Sequence, residues 1–286
     1  MSVKISISHN TIYSYNKPVA LSPHFLRLIP AAHSKTKITN YSLKILPVTN
    51  IIHRLEDPFG NSAARVDFQG LVTKLDICVE MNAEIELVNP FDFFVDEYAV
   101  NFPFKYSDRY EKFLLPYLET RDGDAILSKW VQQIDKSTNN TISFIAMINT
   151  QLYNDIAYNV RLQPGVQTPG ESLERKTGSC RDTAWLLVQI FRSLKMAARF
   201  VSGYLVQLAD VDTVDTVDTV GLHAWAEVYI PGAGWIGLDP SSGLFAAKGY
   251  IPLACTPDFE DAAVITGTSD VANAELSYTS TVVRLN

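Results

Sequence analysis

The chain has 286 residues, of which 47% are hydrophobic and 19% charged, as in a globular protein with a sizeable core and more than one typical domain. Its formal net charge of −7 argues against non-specific nucleic-acid binding, which needs a basic surface. No segment approaches the roughly 18 consecutive apolar residues of a membrane span, and the N-terminus lacks the apolar run of a signal peptide. We therefore expect a cytoplasmic protein that binds neither nucleic acid nor a membrane.

From its start to about residue 90 the chain is predicted to be β-rich. Over 71–87 the odd-numbered residues are mostly apolar and most residues between them are charged or polar. Such strict alternation predicts long antiparallel strands with one face buried and the other in water. Asp57-Pro58-Phe59-Gly60-Asn61 predicts a turn, because proline fixes φ and glycine permits the chain to reverse.

The aromatic-rich segment 89–103 fits neither a strand nor a helix and is predicted to be a packed connection. We place the domain boundary near it, with a β-rich domain over residues 1–95 and a second domain, including a C-terminal strand, over residues 96–286. The pattern then predicts helices over 125–134 and 141–156. The second helix carries an apolar stripe that favours core packing over partner binding.

A small-residue turn ends at Cys180, where the apolar positions begin to recur at the three-and-four spacing of a helix. A cysteine in the first turn of a helix meets unpaired backbone N–H groups and the positive end of the helix dipole. That environment favours a thiolate and makes the sulfur nucleophilic. Asp182 suits the same helix end as an N-terminal acid and needs no catalytic role.

Beyond this helix, the sequence predicts a strand over 198–206 and then a hairpin. A Val-Asp-Thr triplet repeated within 211–220 is predicted to be an expanded surface loop, because its spacing does not match a calcium-binding loop. The hairpin consists of strands over 223–230 and 235–240 joined by a turn at 231–234. Its register brings His223 close to Asp239. The tail after it is predicted to be loop-rich, with a last strand over 276–283.

Cys180, His223 and Asp239 form a possible set of nucleophile, base and orienting acid. Each residue alone is weak support, because a lone cysteine is more often a small buried side chain and a lone histidine a hydrogen-bonded structural residue. We make the structural interpretation for the remaining histidines, namely His9, His24, His33 and His53. Cys78, on the polar side of a predicted strand, and Cys255, in an irregular stretch, are expected to have no catalytic role.

The sequence resembles the core of the transglutaminase-like superfamily in three blocks, which occur in that family's order. These are Gly178-Ser179-Cys180-Arg181-Asp182-Thr183-Ala184, His223-Ala224-Trp225-Ala226-Glu227-Val228-Tyr229 and Gly234-Trp235-Ile236-Gly237-Leu238-Asp239-Pro240. The N-terminal region resembles the β-domain that precedes this core in bacterial members described as candidate cysteine proteases. The resemblance implies an α+β fold, in which an antiparallel β-domain precedes a papain-like core with Cys180 as nucleophile, His223 as base and Asp239 as orienter.

The resemblance also implies a reaction class, in which a thiolate attacks a carboxamide or peptide carbonyl and a thioester forms. We expect a cysteine hydrolase acting on a protein or peptide; a glutamine acyltransferase and a catalytically degenerate binding module are the alternatives. The Cys180 N–H is one expected oxyanion donor and Tyr158 a candidate for the second. Trp225 is a candidate for the cleft wall, with packing as the rival interpretation. The sequence has no metal-ligand spacing or phosphate loop, so we expect no cofactor and no metal.

Overall fold

The computed structural model describes residues 2–86, 89–161, 163–209 and 217–285. The helices α1–α5 are Asp108–Leu118, Ala125–Gln132, Thr141–Asp155, Pro169–Arg175 and Cys180–Ser193. The strands β1–β6 are Val3–Val19, His24–Leu26, Lys37–Leu46, Asn50–Glu56, Ser62–Phe68 and Val72–Ile85. The strands β7–β15 are Ala157–Tyr158, Thr177–Gly178, Ala198–Gln207, Thr219–Ile230, Gly234–Asp239, Leu244–Phe245, Tyr250–Thr256, Ile265–Thr266 and Ala274–Arg284. These antiparallel sheets and helices confirm the predicted α+β class.

Two antiparallel sheets form the N-terminal region, in the orders β15-β1-β6-β3 and β14-β2-β5-β4. The predicted alternation holds in β6, where Leu75, Ile77 and Val79 are fully buried. It fails at the start of the run, because Val72 is buried while Leu71 is 67% exposed. The pairing of β1 with β6 shifts register between Ser14 and Val19, which reverses the inward and outward faces there.

The sequence analysis places the last strand in the second domain, but in the structure β15 joins the N-terminal sheet. It pairs antiparallel with β1, from Ile5 opposite Arg284 to Tyr15 opposite Ala274. The physical reason is that β1 is long and pairs with β6 along one edge only, so its other edge needs a partner. The second domain therefore returns its tail to the N-terminal sheet. The boundary near residue 95 stays a prediction.

A third antiparallel sheet, in the order β12-β11-β10-β9-β13, is the centre of the second domain. Helix α5 packs on one face of it, where its buried apolar side chains meet Ala224, Ala226 and Val228 of β10. The other face contributes buried side chains to the apolar core of the N-terminal sheets, namely Tyr204, Val206, Ile251 and Leu253. The core sheet therefore lies between a helix and the β-domain.

The two predicted helices are present as α2 and α3, and the apolar stripe of α3 is buried as expected. The structure adds α1, and it adds α4 at the end of the predicted loop 163–170. Thr168 and Glu171 form a capping box at the start of α4 that the sequence analysis did not use. Cys255 is buried in β13 rather than in an irregular stretch. Most of the Val-Asp-Thr repeat lies outside the described residues.

None of the helices in the described ranges is long and apolar enough to cross a membrane.

Candidate active site

Cys180 is the first residue of α5 and is partly buried. As the first helical residue it has an N–H group with no partner within the helix, and this group points towards the space in front of the helix. Two residues earlier, the backbone of Gly178 lies close to the side chain of Asp182. A Cβ atom at position 178 would lie only 3.1 Å from the Cβ of Asp182, which leaves little space for a larger residue. The sequence therefore places the thiol at the helix N-terminus, as predicted.

Asp182 fixes the turn that carries Cys180. Its Oδ2 accepts hydrogen bonds from the N–H of Ser179 at 2.8 Å and from the Ser179 hydroxyl at 2.7 Å. Its Oδ1 accepts one from the N–H of Gln167 at 2.7 Å, and Arg161 adds an ion pair at 3.0 Å. Burial opposes the charge, but these donors hold the pKa of Asp182 below its usual value. Asp182 has a structural role at the site, as expected, although its partners could not be predicted.

Tyr158 lies near Cys180 because its strand, β7, pairs in parallel with β8, which directly precedes the turn at Ser179. In this pairing Tyr158 lies opposite Gly178, two residues before Cys180. The side chain lines the cleft beside His223 and Asp239. Burial raises the pKa of Tyr158, and the nearby charges of Cys180 and Asp239 raise it further. The structure therefore places the phenol near the Cys180 thiol.

His223 and Asp239 lie together at one end of the β10–β11 hairpin. The pairing of β10 with β11 ends with Ala226 opposite Leu238. His223 and Asp239 lie beyond this last pair, at the end of the hairpin away from its turn. The Nε2 atom of His223 is 2.8 Å from Oδ2 of Asp239, and the two side chains are only 11% and 1% exposed. With Nε2 engaged by the carboxylate, the other ring nitrogen is the one available to the thiol.

The surroundings of His223 favour its protonated form. Burial alone lowers its pKa, but hydrogen bonds to Asp239 and to the Cys180 thiol, and the negative charges of both groups, raise the pKa of His223 to about 9. The imidazolium form is therefore favoured at neutral pH. Asp239 is ionised, because its donors overcome burial and lower the pKa of the carboxyl group.

Two further side chains hold Asp239, and the sequence analysis missed both. The hydroxyl of Tyr250 donates to Oδ2 at 2.7 Å, and Ser241 donates to Oδ1 through its hydroxyl at 2.7 Å and its N–H at 2.9 Å. Ser241 follows Asp239 by two residues and is recognisable as part of an Asp turn. Tyr250 lies on another strand, so no local pattern indicates it.

A cleft of about 510 Å³ opens beside these residues. Tyr158, His223 and Tyr250 line it, together with apolar residues of β9 and the loop after β11. Lys248 contributes an exposed cation to the same wall. The site thus combines a thiol, an imidazolium and a carboxylate beside a space large enough for a peptide segment.

Two families match this chain. Residues 5–84 match the family described as the bacterial transglutaminase-like N-terminal region, and residues 128–240 match the transglutaminase-like superfamily. The second match contains Cys180, His223 and Asp239. The chain belongs to the transglutaminase-like superfamily.

This transglutaminase-like chain is similar in fold to the crystal structure of a candidate cysteine protease from Cytophaga hutchinsonii. The TM-score is 0.72 at 18% identity, and the match covers 100% of this chain and 92% of that chain. An uncharacterised protein of Mycobacterium leprae is 23% identical over 267 residues, which is 92% of each protein. An uncharacterised protein of Mycobacterium tuberculosis is 29% identical over 125 residues, covering 41% of this chain and 39% of that protein.

Trp225 does not line the cleft of this transglutaminase-like core. It is 1% exposed and packs so closely on β9 that a Cβ at Gly203 would lie 2.4 Å from its ring. Its ring is inclined at only 25° to that of His223, with 6.5 Å between the centroids. Of the two interpretations of Trp225, its burial supports packing, because the side chain faces the interior and lies behind His223.

A second cysteine–histidine pair, Cys255 and His33, lies elsewhere in the molecule. Unlike His223, its histidine is neutral. The Cys255 sulfur is 3.6 Å from Nε2 of His33, close to Glu227. Burial raises the pKa of Cys255 and lowers that of His33, so both groups are neutral. Arg199 pairs with Glu227 at 2.6 Å and supplies the cation of this cluster, which leaves no charge for a metal ion to balance. We assign no metal to it.

Proposed function

We propose that this chain is a cysteine-dependent hydrolase of amide or peptide bonds that works through a thioester acyl-enzyme. The observation that carries the proposal is the 2.8 Å contact of His223 with Asp239, which orients an imidazolium beside the Cys180 thiol. A thiolate next to an imidazolium is a nucleophile with its own acid beside it. Family membership supports this chemistry but leaves the reaction and the substrate open.

In the first half of the reaction, the Cys180 thiolate attacks the carbonyl carbon and a C–S bond forms. The carbonyl electron pair moves to oxygen in the tetrahedral intermediate. As that intermediate collapses, the C–N bond breaks and the His223 imidazolium gives its proton to the leaving nitrogen. The products are a thioester on Cys180, a free amine or ammonia and a neutral imidazole.

The oxyanion of the intermediate needs donors, and two groups are candidates. The Cys180 N–H is the first N–H of α5, and Tyr158 lines the cleft and lies opposite Gly178 in the pairing of β7 with β8. The helix dipole adds its positive end to the same position. We therefore propose Tyr158 as the second oxyanion donor.

In the second half, water attacks the thioester carbonyl and neutral His223 takes the proton of that water. The C–S bond breaks, the acid product leaves, and the thiolate and imidazolium are restored. The cleft of about 510 Å³ and the partly buried thiol support access of water to the thioester. We propose a protein or peptide as substrate and, because all three cysteines are free, the cytoplasm as location.

The test uses a pool of bacterial tryptic peptides as substrate, in heavy-oxygen water and in the presence of methylamine. Wild type is compared with Cys180→Ala, and the products are read by mass spectrometry. Heavy oxygen at new carboxyl groups in wild type alone is the expected result. Methylamine in the products identifies an acyltransferase instead. If neither label appears and Cys180 does not react with iodoacetamide, the chain is a binding module.

A further inference from the structure

Tyr250 lies against the proposed triad but belongs to a strand that carries no triad residue. Its hydroxyl is 2.7 Å from Oδ2 of Asp239, the same oxygen that holds His223 at 2.8 Å. Its ring packs against the ring of Trp225 at 5.2 Å between centroids, and that ring supports His223 from behind. The Tyr250 hydroxyl and the His223 ring therefore donate to the same oxygen atom and share its negative charge.

The strand β13 fixes Tyr250 by contacts along its whole length. Ile251 and Leu253 are fully buried in the apolar core of the N-terminal sheets. At the other end of the strand, the backbone of Cys255 is hydrogen-bonded to Asn61 of the N-terminal β-domain. The position of the Tyr250 hydroxyl is thus set by the packing of the β-domain on the core.

We infer that Tyr250 is a positioning residue of the proposed triad, whose hydroxyl shares Oδ2 of Asp239 with His223 and limits how strongly that oxygen binds the imidazolium. This inference rests on the proposed function. It also gives the N-terminal domain a part in the site, because β13 transmits the packing of that domain to Asp239. Ser241 holds the other oxygen, so loss of the Tyr250 hydroxyl leaves the carboxylate in place and ionised, but Oδ2 keeps only His223 as a donor among the described residues.

The titratable groups that face His223 belong to several elements. Asp239 approaches from β11, Cys180 from α5 and Tyr250 from β13, while Tyr158 and Lys248 line the cleft in front. Removal of the Tyr250 hydroxyl takes a neutral donor from Oδ2 and leaves every one of the other groups unchanged. More negative charge is then available to His223, and the imidazolium is stabilised.

The test is an NMR titration of the imidazole of His223 in protein labelled at histidine, with the signal assigned from His223→Ala. The variants are Tyr250→Phe and, as matched control, Tyr204→Phe, which removes a buried hydroxyl that makes no hydrogen bond within the described residues. We expect the His223 titration of Tyr250→Phe to move upward by about 0.5 pH unit, roughly a threefold change in the proton equilibrium. The control stays within about 0.1 unit of wild type.

The outcomes separate this inference from the proposed function. A wild-type His223 that titrates near pH 9, with no shift or a downward shift in Tyr250→Phe, overturns the role of Tyr250 and leaves the ion pair intact. A wild-type His223 that titrates near its ordinary value overturns the ion pair and, with it, both proposals. A shift of equal size in Tyr204→Phe assigns the effect to packing and overturns the inference.

Discussion

Asn61 of the N-terminal domain binds both backbone groups of Cys255 in the core. Its Oδ1 accepts from the Cys255 N–H at 2.8 Å, and its Nδ2 donates to the Cys255 carbonyl at 3.3 Å. Asn61 is 1% exposed, so this contact replaces water entirely. The turn 57–61 is therefore more than a reversal between β4 and β5, because it attaches the two domains to each other.

We predict that Asn61→Ala lowers the free energy of unfolding by about 2–4 kcal/mol, because it leaves two buried backbone groups of Cys255 without partners. Urea denaturation measures the change. Asn154→Ala, on the exposed side of α3, is the control and is expected to alter stability by less than about 0.5 kcal/mol. Equal stability of the two variants would show that water takes the place of the Asn61 side chain.

We predict that Asp182→Asn lowers the free energy of unfolding by about 3–5 kcal/mol, because Arg161 keeps a charge that is mostly buried and has lost its partner. The variant also loosens the Ser179 turn, so iodoacetamide should no longer prefer Cys180 to Cys78. The control is Asp135→Asn, whose carboxylate is exposed and bonds only to Ser137 among the described residues. If Asp182→Asn is as stable as Asp135→Asn, the structural role of the Asp182 carboxylate is contradicted.

We predict that iodoacetamide alkylates Cys180 at pH 7 about tenfold faster than Cys78 and that His223→Ala removes the difference. Since the pKa of His223 is about 9, the imidazolium is present below that pH and is lost above it. Once a substrate is known, kcat/KM should fall as the pH rises through 9, because the leaving amine then lacks its acid. Peptide mapping by mass spectrometry gives the alkylation rates.

The control for this experiment is His53→Ala, which removes an exposed histidine from β4. It should leave the rates of both cysteines unchanged. If Cys180 and Cys78 react alike in wild type, the thiol at the helix N-terminus has no imidazolium partner.

We predict a loss of stability in acid that depends on His9. Its ring is fully buried between Ser280 and Thr11, and burial lowers the pKa of His9 to about 4. An unfolded histidine binds its proton near pH 6.5, so the unfolded state is favoured as the pH falls from 6.5 to 4. The difference corresponds to about 3 kcal/mol below pH 4.

The measurement is the free energy of unfolding in urea at several pH values between 7 and 4. His9→Gln should be less stable than wild type at pH 7 but should lose less stability in acid. His53→Gln, at an exposed position, should follow the wild-type slope. A His9→Gln variant with the wild-type slope would assign the acid sensitivity to another group.

Local patterns predicted the candidate site well where its parts are close in the sequence. The hairpin register that brings His223 to Asp239 depends on a turn at 231–234, and the position of Cys180 depends on the helix that follows it. Arg161, Tyr250 and the partner of β1 could not be predicted in this way. Each contacts residues far along the chain, or on another element, and such pairings are set by packing rather than by periodicity.

The order of folding follows from the pairing of β15 with β1. The two strands lie about 270 residues apart in the sequence, so one edge of the first strand stays open until the last strand has been synthesised. An unpaired edge of this length is able to pair with other chains, and its closure is slow because the contact is distant in sequence. The newly made chain therefore exposes an open strand edge to other chains until β15 pairs with β1.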